Sequence, residues 1–301
     1  MSEEPNSGNR ELELLLFRLG GTQKFGINVF KVQEVIPCPA LTQIPAAHPH
    51  VCGIADLRGR TTSIIDLGQA IKTGSIRDRS PLFVIITEFS REMHGLMVTS
   101  VERIVSMRWS DVQPPPIGMG TRSYMTAVTE IDGELVEIID VEKVLDEIVR
   151  VKTQVSGAII DDSANIEFGK HQVMVVDDSL VARNQIQHAL EQIGISCVMK
   201  NDGRAALDSL KSMVSSGAPL EDQFLMIISD IEMPEMDGYS LTKAIRSDPD
   251  LKRLHVLLHS SLSGSFNNQN VKQSGADHFI PKFNPDDLAR AAIDYIREQK
   301  G

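Results

Sequence analysis

VMVVDDS at positions 173–179 and IISDIEMPEMDGY at 227–239 decide how the second half of the chain folds. Each begins with an apolar run, and acidic residues follow directly. A strand that is apolar at consecutive positions is buried on both faces, as in a parallel sheet covered by helices. Asp177, Asp178 and Asp230 then stand at the carboxyl ends of two such strands. Outward from these stretches, Ala182, Ile186, Ala189, Leu190 and Ile193 recur at helical spacing, with Gly194 as the stop. Ile195–Met199, His255–Leu258 and His278–Ile280 read as further strands. Arg204–Lys211, Tyr239–Arg246 and the region around Asn268–Gln273 read as helices, and Leu288, Ala291, Ala292, Tyr295 and Ile296 mark a last amphipathic helix. This alternation predicts a doubly wound α/β domain with a five-stranded parallel sheet.

Functional groups in such a sheet collect at the carboxyl ends of the strands. Ser260 and Lys282 join the three aspartates there. Three carboxylates in one crevice repel each other unless a cation sits among them, and a hard divalent ion such as magnesium suits oxygen ligands. An ionised Asp beside that ion is a competent nucleophile toward phosphorus. Lys282 is placed to neutralise phosphoryl oxygens and Ser260 to hydrogen-bond one. Taken singly, Asp178 before Ser179 reads as a helix cap, Lys282 as a surface charge and Ser260 as a turn residue. The constellation on successive strand ends outweighs those readings.

These segments, with VLLHSS at 256–261 and GADHFIPK at 275–282, resemble the response-regulator receiver family over residues 172–299. The resemblance implies a flavodoxin-like fold with strand order 2-1-3-4-5. It implies Asp230 as phosphoacceptor, Asp178 as direct Mg2+ ligand, Asp177 as a ligand through water, and the main-chain carbonyl of Glu232 as another ligand. Ser260 and Phe279 match the family's switch pair, a hydroxyl and a ring that move when the acceptor is charged. Two positions depart from the pattern. Phe283 stands where the family has Pro, so no cis peptide carries over, and Pro281 precedes the lysine. Glu232 adds a negative side chain near the acceptor, placed to tune the phosphate's lifetime.

Residues 12–150 read differently. Leu14–Leu19, Lys24–Val29, Gly53–Leu57, Thr61–Leu67, Leu82–Thr87, Gly95–Val105, Tyr124–Ile131 and Glu134–Ile139 are short strand-like runs. Gly20-Gly21, Arg58-Gly59-Arg60 and Asp132-Gly133 are hairpin turns between them. Close-spaced short strands predict barrels, followed by a helix through Val141, Val144, Leu145, Ile148 and Val149. Asp56, Arg58 and Asp66 read as solvated turn residues. Met93, Met97 and Met107 read as core or as an adaptable binding face, and Trp109 as a core anchor. Residues 151–170, rich in Ser, Thr, Gly, Asn and Asp, read as a linker before a second domain at 171–301.

LFRLGGTQKFGINVFKVQEVI at 16–36 and VCGIADLRGRTTSIIDL at 51–67, with VEIIDVEKVL at 136–145, resemble the CheW-like family. That resemblance implies two small SH3-like β-barrels that link methyl-accepting chemoreceptors to the histidine kinase CheA. It places docking on the segment Val32–Ile36, with Glu34 and Val35, and on the segment Gly53–Gly59, with Arg58. Ser63 and Thr61 replace the proline and the apolar residue usual in the second motif. A CheW-like module followed by a receiver is the architecture of the CheV family of chemotaxis coupling proteins. It implies a cytoplasmic adaptor recruited to receptor arrays, in which phosphorylation of Asp230 modulates coupling. A phosphate sink and a plain scaffold with an idle receiver are the alternatives. No output domain follows Gly301, so the phosphoryl group is expected to act on the coupling half, on a partner or as drained phosphate.

Composition limits the other classes. Of the net charge of −11, residues 1–170 hold 17 basic and 23 acidic side chains (−6), and residues 171–301 hold 13 and 18 (−5). Neither half has the basic surplus that nucleic-acid binding uses. No apolar stretch is long enough for membrane insertion, and the polar N-terminus is not a signal peptide. Cys38, Cys52 and Cys197 lack disulfide or metal spacing, and His48 and His50 read as solvated loop residues. No hydrolase, kinase or nucleotide-binding motif is present, so the chain is expected to be no enzyme beyond the receiver's own phosphorylation and dephosphorylation.

Overall fold

The computed structural model describes residues 11–115, 123–149, 153–164, 166, 168, 171–217, 220–260, 271–282 and 284–300. The chain forms two compact units, Met1–Arg150 and Val151–Gly301.

The first unit contains β1 (Glu11–Arg18), β2 (Lys24–Asn28), β3 (Glu34–Pro37), β4 (Val51–Leu57), β5 (Arg60–Asp66), α1 (Leu67–Ala70), β6 (Phe83–Phe89), β7 (Glu92–Val98), β8 (Ser100–Arg108), β9 (Met125–Ile131), β10 (Glu134–Ile139) and α2 (Val141–Ile148). They make two five-stranded sheets, ordered β8-β1-β2-β10-β9 and β3-β6-β7-β5-β4. In each, chain beyond one edge strand reaches the other edge. Gln113 after β8 bridges Val128 on β9, and Thr42 after β3 bridges Ile54 on β4. This is the closure that a small barrel requires. The second interior is filled: a Cβ on Gly95 would lie 2.4 Å from Ile64 Cδ1 and 2.5 Å from Val84 Cγ1.

Three findings differ from the sequence reading of this unit. The run Gly95–Val105 is not one strand. β7 ends at Val98, β8 starts at Ser100, and they belong to different sheets. Thr99 pins the crossing by donating its N–H (3.0 Å) and hydroxyl (2.9 Å) to the carbonyl of Arg18. Branched residues continue through the crossing, so no turn signal marks it. The turn between β6 and β7 was likewise unmarked, because Ser90 (φ 52°) and Arg91 (φ 64°) take the left-handed conformation without a glycine. Asp66 is not solvated: it is 0% exposed. Its carboxylate accepts from Gln69 N (2.9 Å), Ser75 Oγ (2.7 Å) and Ile76 N (3.1 Å), tying down the chain after β5. Met97 is buried, in agreement with the core reading.

The second unit contains α3 (Gly157–Ser163), β11 (Gln172–Val176), α4 (Leu180–Glu191), β12 (Ser196–Lys200), α5 (Gly203–Ser215), α6 (Leu220–Gln223), β13 (Phe224–Asp230), α7 (Gly238–Ser247), β14 (Val256–Ser260), helical residues 271–274 (α8), β15 (His278–Pro281) and α9 (Pro285–Lys300). The sheet order is β12-β11-β13-β14-β15, all parallel. All seven residues of β13 are buried. Two apolar cores flank the sheet, one through Ile186 and Leu190 of α4 and Leu288 and Ile293 of α9, the other through Leu207 and Leu210 of α5 and Leu241 and Ile245 of α7. Phe283 and the first half of the expected Asn268–Gln273 helix, Asn268–Asn270, lie outside the described residues; its second half, Val271–Gln273, is helical.

Within the 151–170 stretch read as a linker, α3 and its flanks pack on this unit. Val155, Ile159 and Phe168 are buried in the core shared by α4 and α9. Gln192 brackets the entry, accepting from Val155 N and donating to the carbonyl of Thr153, both at 3.0 Å. The polar composition reflects the outer face of a short helix; Ile159 on α3, Val155 before it and Phe168 after it supply the apolar contacts.

Candidate functional site

The site lies where β11, β13, β14 and β15 end. Asp177 follows β11, Asp230 closes β13, Ser260 closes β14 and Lys282 follows β15. Parallel pairing brings these ends to one rim, with Asp230 beside His259 and Ser260 beside Pro281 in register. Asp177, Asp230 and Ser260 are 0% exposed and Lys282 is 8% exposed. Lys282 Nζ lies 2.9 Å from Asp177 Oδ2 and 2.9 Å from Asp230 Oδ2. One ammonium therefore bridges two buried carboxylates. Each carboxylate takes a backbone donor on its other oxygen: Ser179 N on Asp177 and Ile231 N on Asp230, both at 2.8 Å.

The glycine of the 227–239 motif has a steric role here. A Cβ on Gly238 would stand 2.3 Å from the carbonyl oxygen of Asp230. Its absence lets the first turn of α7 close against β13, where Gly238 N donates to Ile231 O at 3.0 Å. Asp237 caps that helix by accepting from Ser240 N.

The structure does not gather every expected residue into the buried cluster. Asp178 is exposed at the start of the turn into α4. Phe279 is half-buried against the core on the α5–α7 face, opposite Leu258 in register. Ser260 Oγ donates to Glu232 Oε1 at 3.1 Å. Burial raises the pKa of the nearby Tyr239, and the charge of Glu232 adds to that rise.

Sequence reasoning missed His259. It is 2% exposed, and its Nε2 lies 3.4 Å from Asp177 Oδ2. Ligand atoms of Asp177, Asp230 and His259 all fall within 4.8 Å of one another. The available signal was a histidine inside the apolar run VLLHSS, where a strand buried on both faces tolerates a polar side chain only with partners. Arg183 was also missed; it donates to the carbonyl of Asp177.

In the first unit, Glu34 on β3 and Arg58 at the β4–β5 turn meet at 2.5 Å. The pair links the two edges of one sheet. Val35 is exposed and Val32 half-buried. Gly53 is buried, and a Cβ there would lie 2.6 Å from Thr42 O, so the close approach of the Thr42 segment requires glycine.

Comparison with known proteins adds to this geometry. The CheW-like domain matches residues 13–149, and the response regulator receiver domain matches residues 173–293. Chemotaxis protein CheV3 of Helicobacter pylori is 33% identical over 288 residues, 91% of this chain and 91% of that protein. This chain belongs to the CheV family. Chemotaxis protein CheV1 of the same organism is 27% identical, covering 96% of this chain and 94% of that protein. Chemotaxis protein CheW of Klebsiella aerogenes is 27% identical over 44% of this chain and 81% of its own. As a CheV-family member, the chain is a chemotaxis coupling adaptor with a receiver domain, and works in general with a chemotaxis kinase and receptors. Among the described residues, no helix is long and apolar enough to cross a membrane.

Proposed function

We propose that Asp230 accepts a phosphoryl group from the phosphohistidine of the histidine kinase CheA and that this charge modulates coupling by the CheW-like half. The observation that carries the reading is the pair of fully buried carboxylates, Asp177 and Asp230, sharing Lys282 at 2.9 Å each. Such an arrangement holds a nucleophilic oxygen beside a cation already aimed at developing negative charge. An Asp230 oxygen bonds to phosphorus while the P–N bond to the donor histidine breaks, its electron pair returning to the ring. Lys282 neutralises the transferred oxygens, and Ser260 and Phe279 respond to the new charge.

The donor set, carboxylate oxygens on a rim with exposed Asp178 at its outer side, suits a hard ion that keeps part of its water. Asp177, Asp178, Asp230 and the carbonyl of Glu232 would hold Mg2+, which when bound supplies neutralisation of the phosphoryl charge. Val32, Glu34, Val35, Gly53 and Arg58 form the docking region for kinase or methyl-accepting chemoreceptors, with residues 12–150 as the coupling domain and 171–301 as the receiver. The adaptor works in the cytoplasm at receptor arrays, and its own chemistry is confined to gaining and losing the phosphoryl group.

The test is incubation of radiolabelled phospho-CheA and Mg2+ with wild type and with Asp230→Asn. Label is expected on wild type alone; equal labelling overturns the assignment. A receptor pull-down with and without beryllofluoride then decides between a switch, whose affinity changes, and a phosphate sink, whose affinity does not.

A further inference from the structure

We infer that Glu232 is a positioning residue, a charge-operated latch that holds the Ser260 hydroxyl away from the acceptor until Asp230 is phosphorylated. This inference rests on the assignment of Asp230 as acceptor. The Ser260 hydroxyl is fully buried and has one proton to donate. In this structure it gives that proton to Glu232 Oε1 at 3.1 Å. Glu232 lies two residues beyond the acceptor, and Ile231 between them is pinned from both sides: its N–H lies 2.8 Å from Asp230 Oδ1 and 3.1 Å from the carbonyl of His259. The carboxylate of Glu232 therefore has a fixed root and a short reach.

A phosphoryl group on Asp230 changes both ends of this contact. It adds close to two negative charges and strong acceptor oxygens beside a carboxylate, and like charges at short range repel. The same oxygens compete for the Ser260 proton. Glu232 loses this hydrogen bond and moves away from the phosphoryl charge. The hydroxyl becomes free to turn toward the phosphoryl oxygens. The latch sets a threshold: the acceptor state has to out-compete a charged hydrogen bond before the switch responds.

The test uses the full chain with Mg2+ and titrated beryllofluoride, read by the 19F resonance of the bound species. Glu232→Gln keeps the side-chain shape and removes the charge. It is expected to tighten beryllofluoride binding about tenfold, the difference between a charge-assisted and a neutral hydrogen bond to the Ser260 hydroxyl. In the Ser260→Ala background the same substitution is expected to change the affinity by about twofold or less, because the hydroxyl whose release the latch controls is gone. An equal effect in both backgrounds means that Glu232 acts through bare charge, and overturns the latch while leaving the acceptor assignment intact. Absence of a bound resonance in wild type overturns the acceptor assignment and the latch with it.

Discussion

Asp66 in the coupling half and Asp230 in the receiver are both fully buried aspartates at the carboxyl end of a strand, yet their surroundings differ in kind. Asp66 is satisfied by its own neighbourhood. Two backbone N–H groups and a serine hydroxyl donate to it from the ten residues that follow, and Arg77 stands 3.7 Å away. Its charge is spent on closing a loop. Asp230 takes a single local backbone donor and shares its other oxygen's cation with Asp177 from a different strand. Two buried anions facing one ammonium leave negative charge that only a further cation or proton balances. Self-contained saturation marks a structural carboxylate; a cation shared between two strand ends is what sets the proposed acceptor apart.

Removing the shared cation breaks this comparison most forcefully. Lys282→Met is expected to destabilise the receiver by about 4 kcal/mol, because two carboxylates lose a buried partner. Added Mg2+ is expected to restore part of that loss, since a ligand bound only by the folded state stabilises it. Urea unfolding with and without Mg2+ measures both effects. A Lys282→Met protein as stable as wild type in Mg2+-free buffer would show that the two carboxylates do not depend on the ammonium. Asp66→Ala comes next, at about 3 kcal/mol, roughly one for each donor left unpaired. Mg2+ is expected to make no difference to this variant. Recovery with Mg2+ would place Asp66 among the metal-responsive acids and erase the distinction.

The two halves were also unequally legible. The receiver's carboxylates could be located from sequence because a buried parallel strand is a continuous apolar run, and its end is a visible change of chemistry. Asp230 and Lys282 needed no more than that. Asp66 looks the same in sequence as the exposed Asp56, since both are acids in a β-hairpin segment of alternating character. Burial of Asp66 depends on Ser75 and Ile76, which return to it after α1 through a stretch with no periodic signal. His259 was hidden for a related reason: a single polar residue within a strand carries no spacing that names its partner. The Glu34–Arg58 contact joins strands that are distant in sheet order, so only the closed sheet reveals it.

A half-buried acid sharpens the comparison through pH. Asp140 caps α2, accepting from Lys143 N at 3.0 Å, and its pKa is pushed up from 3.8 to about 6, first by burial and then by the charge of Glu142. A raised folded-state pKa means that the folded form binds the proton more tightly than the unfolded form. The resulting stabilisation is fully present below pH 3.8 and is lost as pH rises through about 6. Its full size is about 3 kcal/mol, from about 1.4 kcal/mol per pKa unit. Because only part of that span is crossed in an experiment between pH 5 and 7, a loss of about 1.3 kcal/mol is expected there. Asp140→Asn is expected to flatten the slope in this window. An unchanged slope would assign the pH dependence to other groups and leave Asp140 as a cap alone.

The last test alters geometry without altering any charge. Gly238→Ala puts a methyl group where the carbonyl of Asp230 now lies at 2.3 Å from the Cβ position, with Leu258 Cδ2 at 3.0 Å behind it. Backbone must move, because the nearest atom is not the end of a flexible side chain. The cost is about 2 kcal/mol, in the range of overpacked cores. If the shared Lys282 contact depends on an accurate position for Asp230, phosphotransfer from the kinase slows by more than the loss of folded protein accounts for. If phosphotransfer per folded molecule is unchanged, α7 can retreat without dragging the acceptor, and close packing at this glycine serves stability alone. A reactive carboxylate of the shared kind is sensitive to such a displacement because its two neutralising contacts come from separate elements; a self-contained one like Asp66 moves with its donors and keeps them.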